Sequence, residues 1–127
     1  MLRVFLSSKD KVSDEIFEGI NIQRISLENI LNDANKLRGF KKYIQKSLLE
    51  GDKVIIISFI DTYFTTIKTK EEHPKLKIIN TKLPESSDHL LVNEIINNQD
   101  ESLDYIEKKI KSLENVLELF FIAVMGY

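Results

Sequence analysis

Two rhythms of apolar positions divide this chain. The run Lys53-Val54-Ile55-Ile56-Ile57-Ser58-Phe59 is continuous and rich in β-branched residues, entered through Gly51-Asp52 and left through Ile60-Asp61-Thr62. A run of this length without apolar/polar alternation suits a strand covered on both faces, as in a parallel sheet between helices. Arg3–Ser7 reads as a second such strand with the polar exit Ser7-Ser8-Lys9-Asp10. Asn21–Ile25 reads as a weaker strand and Leu76–Ile79 as a fourth. Between the first two, Ser13-Asp14-Glu15 resembles a cap with first-turn acids, which predicts a short helix ending at Gly19.

The second rhythm is helical. Leu27, Ile30, Leu31, Ala34, Leu37, Phe40, Ile44 and Leu48 recur three and four apart after Ser26, and Gly51 stands where a terminating glycine belongs. Gly39 inside this pattern predicts a bend, or a junction of two helices near Arg38-Gly39. Asp61–Ile67 reads as a loop with a short helix or as a strand extension, and Lys68–Pro74 as a connection. Pro84-Glu85-Ser86-Ser87-Asp88 is a helix entry before Leu90, Leu91, Ile95 and Ile96; Leu103, Ile106, Ile110 and Leu113 mark another helix begun at Asp100 or Ser102. Leu119–Met125 resembles the central strand in length and content and is expected to be a strand, the alternative being a buried helix that continues the spacing of Val116, Leu117, Phe120 and Val124.

Strands alternating with helices predict a single α/β domain over residues 1–127, three-layered, with a mostly parallel sheet of four or five strands. The apolar first, third and last strands belong inside and Asn21–Ile25 at an edge, which a flavodoxin-like (Rossmann-like) order 2-1-3-4-5 satisfies. That fold hosts many activities and transfers none by itself.

Composition narrows the chemistry. Without cysteine there are no disulfides, thiolate metal sites or Cys nucleophiles, which fits a cytoplasmic protein. No apolar run approaches the roughly 18–20 residues of a membrane span, and the apolar start of the chain is too short for a signal peptide, so a soluble protein with no membrane partner is expected. The four glycines, at 19, 39, 51 and 126, form no phosphate-binding loop, which argues against a nucleotide cofactor held in the usual way; no cofactor is expected. His73 and His89 have no partner at a ligand spacing, so no metal site is expected, and Ser87 with His89 fails as a local catalytic pair because residues two apart on a helix do not face each other.

The net charge of −2 conceals a division: residues 36–82 hold eleven Lys/Arg against five Asp/Glu, and residues 83–127 hold three against nine. Such a split steers a two-fold or head-to-tail partner, or presents a basic face to an anion; its plainer reading is a set of solvated helix faces.

Parallel sheets bind ligands beyond the carboxyl ends of their strands. That rule nominates Ser7, Ser8, Lys9, Thr62 and Thr81 as ligand-binding residues, joined by Ser86 and Ser87 at a helix start, although serine and threonine there also serve as plain turn and cap residues. Asp61, just past the buried strand, is the candidate catalytic acid, its alternative being a turn or cap. Lys36, Arg38, Lys41, Lys42 and Lys46, with Tyr43 among them, form a candidate nucleic-acid footprint, of which Arg38, Lys41, Lys42 and Lys46 are the core.

Val4-Phe5-Leu6-Ser7-Ser8-Lys9-Asp10-Lys11 with Val54-Ile55-Ile56-Ile57-Ser58 resembles the opening and third strand of TIR-like domains over about half the chain. The resemblance does not imply NAD cleavage, because no glutamate stands at the family's catalytic position soon after the serine. Three functions follow from these residues: a binding or regulatory module that self-associates or docks a protein or small ligand, a small hydrolase or nucleotide-processing enzyme at Asp61, and a nucleic-acid binder at the 36–46 helix.

Overall fold

Strand β1 (Leu2–Ser7) lies at the centre of a five-stranded sheet, flanked by β3 (Ile20–Ile25) and β4 (Lys53–Ser58), both parallel to it. Its position follows from its side chains: Val4 and Leu6 are fully buried on one face and Phe5 on the other. A strand loaded on both faces is stable only under cover from both sides. The order is β2-β3-β1-β4-β5, with β5 (Leu76–Asn80) parallel to β4 and β2 (Ser13–Phe17) antiparallel to β3. The computed structural model describes residues 1–62 and 73–125, with side chains up to residue 116. The expected continuation through residues 63–67 and most of the 68–74 connection lie outside the described residues.

Helix α1 (Leu27–Leu31) leads into α2 (Ala34–Leu49), which covers one face of the sheet through Phe40, Ile44 and Leu48 against Phe5, Val54 and Ile56. Helices α3 (Asp88–Asn97) and α4 (Leu103–Met125) cover the other, where Leu91, Ile95, Ile106 and Ile110 pack on Val4, Leu6, Ile55 and Ile57. The result is the expected three-layer α/β domain. The alternating side chains of β4 supply both layers, Ile55 and Ile57 facing α3/α4 while Val54 and Ile56 face α2.

Four local expectations are corrected. Ser13–Phe17 is a strand: Asp14 Oδ1 accepts a hydrogen bond from Asn21 Nδ2 at 2.6 Å and Glu15 Oε1 one from Arg24 Nη1 at 3.0 Å, so the supposed first-turn acids hold a hairpin. Gly19, at φ +78°, makes the turn, and a Cβ there would stand 3.1 Å from Gln99 Nε2. The hairpin also moves β3 off the edge, which is why Ile20, Asn21, Ile22 and Arg24 are buried. Residues 116–125 continue α4 as helix, since no glycine or proline stops propagation between Leu103 and Met125. The fifth strand is therefore β2 on the opposite edge, and the order of the other four is as expected. The helix break falls at Asn32-Asp33, where Asp33 Oδ1 caps α2 by accepting from Asn35 and Lys36 N–H at 3.0 and 3.2 Å; Gly39 lies within α2 in open space.

Candidate functional site

The carboxyl ends of β1 and β4 gather hydroxyls, as the loops leaving two adjacent parallel strands must. The Ser7 and Thr62 hydroxyls, 55 residues apart in sequence, are buried and hydrogen-bonded to each other. The Thr62 hydroxyl donates to the Phe59 carbonyl at 2.9 Å and accepts from the Phe59 N–H at 3.1 Å, closing the turn after β4. Ser8, also buried, accepts from Lys11 N–H at 3.0 Å, and Lys9 beside it is exposed. Thr81, buried past β5, donates to Glu114 Oε1 at 2.7 Å and accepts from Leu83 N–H at 3.2 Å. Asp61 is exposed and its Oδ1 accepts from Glu85 N–H at 2.7 Å, tying the turn after β4 to the 3-10 turn Glu85–Ser87. Ser87, half-buried at the N-cap, accepts no capping hydrogen bond from α3, and Ser86 before it is exposed. The fold thus joins Ser7 to Thr62 and spends most of the nominated hydroxyls, and Asp61, on turns.

Two further residues of this rim gave no sequence signal. Ser58 is buried beside Asn80 in the β4/β5 register, and the Asn80 side-chain oxygen is buried without a hydrogen-bond partner. Only the pairing of distant strands brings them together.

A second polar centre joins β3 to α3. Arg24, 7% exposed, holds Asp88 through Nε to Oδ2 at 2.9 Å and Nη2 to Oδ1, while its Nη1 donates to Ser13 Oγ at 3.2 Å and Glu15 Oε1 at 3.0 Å. The Asp88 hydrogen bond, outweighing burial, raises the Arg24 pKa above its ordinary value. A cleft of about 370 Å³ opens beside it, lined by Asp10, Lys11, Val12, Ser13, Glu15, Arg24 and His89. Because the guanidinium already serves two carboxylates and a hydroxyl, Arg24 reads as a structural cation. His73 accepts from Lys75 N–H at 3.1 Å within its own turn. Among the described residues no three His, Asp or Glu side chains converge as metal ligands.

The third centre is the outer face of α2. With Phe40, Ile44 and Leu48 turned to the sheet, Arg38, Lys42 and Lys46 form an exposed row at four-residue intervals, flanked by exposed Lys41 and Lys36. No acid occurs in Ala34–Leu49, and none of the five cations has an ion-pair partner among the described residues. Except for Lys46 in the last turn, where a cation favours the helix dipole, their placement runs against the local electrostatic rules of a helix. Like charges four apart destabilise by about 0.2–0.5 kcal/mol per pair, and cations near a helix N-terminus oppose its dipole. Tyr43 points the other way: its hydroxyl accepts from Arg3 Nη1 at 2.9 Å and its ring meets Phe5 edge-on.

Some cations elsewhere are paired, whereas others, Lys9, Lys82 and Lys108 among them, have no ion pair among the described residues. Arg3 binds Asp52 at 2.9 Å, and Lys77 binds Asp104 at 2.7 Å and Glu107 at 3.5 Å. Part of the charge division seen in the sequence lies across the sheet, with basic α2 on one face and net-acidic α3 and α4 on the other, while Lys77 of the basic segment pairs with the acids of α4. Comparison with protein-family models, curated proteins and solved structures finds no match.

Proposed function

We propose that this protein is a non-catalytic binding module that docks an anionic surface on the outer face of α2. The observation that carries the reading is the basic row itself: five cations stand on one exposed helix that contains no carboxylate, with no ion pair among the described residues, while α3 and α4 on the opposite layer are net acidic. Uncompensated like charge on a helix is a cost to folding, and departures from local consistency concentrate where a protein binds. Asp61 supports the hydrolase alternative less well, because its carboxylate is exposed and occupied by Glu85 N–H.

Retention on a heparin matrix tests the proposal. A protein of net charge −2 has no global attraction for a polyanion, so wild-type retention with early elution of the Arg38→Glu/Lys42→Glu variant is the expected result. Identical elution of the two would refute it.

A further inference from the structure

We infer that the anion docked by α2 is the phosphodiester backbone of a nucleic acid, held without base readout; this rests on the α2 reading above. Arg38, Lys42 and Lys46 repeat every four residues, about 6 Å along the helix axis, so the row presents cations in series, as a regular chain of anions requires. Lys41 widens the row on one side.

Two other occupants fit less well. A second copy of the chain would have to offer free carboxylates from its acidic layer, yet four of the six on α3 and α4, Asp88, Asp104, Glu107 and Glu114, are already in ion pairs within their own chain. An anionic membrane would take up the apolar face of a basic helix, but in α2 that face is packed on the sheet through Phe40, Ile44 and Leu48.

Base recognition needs aromatic platforms or side chains aimed at base edges. Of the two aromatics among the basic residues, Phe40 packs on the sheet and Tyr43 is engaged by Arg3 and Phe5. Binding is therefore expected to follow phosphate charge and to ignore sequence.

Fluorescence anisotropy with labelled 20-nucleotide duplex DNA, single-stranded DNA and single-stranded RNA, each titrated at several NaCl concentrations, tests this. With four cations engaged, log K for the duplex should fall against log salt with a slope of about −3.6, roughly a hundredfold weakening between 50 and 200 mM, and for single strands with a slope of about −2.8. The three probes then separate DNA from RNA as the source of the phosphates. Arg38→Gln/Lys42→Gln should flatten the duplex slope by about 1.8, whereas Lys108→Gln, exposed on α4, should leave it unchanged. Slopes insensitive to the α2 variant would overturn the inference. If polyglutamate of equal charge, or vesicles rich in phosphatidylserine, bind through α2 more tightly than every nucleic acid, the phosphodiester assignment falls and the anion-docking reading stands. If no polyanion binds through α2, both fall.

Discussion

Lys42→Glu should make the free protein more stable while weakening its binding. Lys42 stands four residues from both Arg38 and Lys46 on the exposed face of α2. Each like-charge pair destabilises the helix by about 0.2–0.5 kcal/mol, and each opposite-charge pair stabilises it by a similar amount. Reversing the charge removes two repulsions and creates two attractions, a gain of about 0.8–2 kcal/mol. The Arg38 pair has the poorer orientation, acid C-terminal to base, which places the expected value near about 1 kcal/mol. Lys and Glu have similar helix propensity, so little offsets this. For a 127-residue domain such a gain raises Tm by about 3–5 °C. Thermal unfolding followed by circular dichroism in 20 mM salt would show the rise, and 300 mM salt should remove much of it because the Debye length falls below the charge separations. An unchanged or lowered Tm at low salt would mean that the α2 cations are not in mutual conflict, and the electrostatic argument for a binding face would fail.

Other expectations follow from the same contacts. Asp88→Ala leaves the buried Arg24 with only Glu15 as a charged partner and should cost about 3–5 kcal/mol in urea unfolding, much of it recovered in the apolar pair Arg24→Met/Asp88→Leu. Thr62→Val removes the oxygen that serves Ser7 and both backbone groups of Phe59 and should cost about 1–3 kcal/mol by the same assay; a neutral result would show that this turn closes without it. Burial alone would raise the Asp52 carboxyl, but the Arg3 hydrogen bond and the Met1 amino group outweigh it and hold the pKa below its ordinary value. A depressed carboxyl stabilises the fold above its unfolded pKa, so this contribution should be present at neutral pH and fade as pH falls below about 4. Asp52→Asn should therefore flatten the acid limb of the stability curve, and an unaltered limb would assign acid sensitivity to other groups.

What the sequence made legible was governed by side chains that act alone or through near neighbours. The buried β4 run, the helical spacing from Leu27 to Leu48 and the Gly51 terminus all appear where periodicity and turn chemistry put them. Ser13–Phe17 misled because a cap with first-turn acids and a strand whose acids pair across a hairpin have the same residues. The better signal was Gly19 between two apolar runs, Ile16-Phe17 and Ile20–Ile22. The end of α4 misled because a continuous apolar run has no period to separate strand from helix. In the candidate sites, the basic row was visible as a local feature of one helix. The Arg24–Asp88 pair and the Ser58–Asn80 neighbours were not, since each depends on elements 22 or more residues apart meeting across the sheet.

On the α2 proposal, the layering of charge across the sheet would also govern how the molecule arrives at a polyanion. A polyanion that draws α2 inward pushes the acid-rich α3/α4 layer away, so the protein experiences a torque as well as an attraction before contact. Rotation ahead of collision raises the fraction of encounters that begin with the correct face, and salt weakens that bias together with the attraction. On that proposal the opposite layer, while contributing no contact, would act as a rudder.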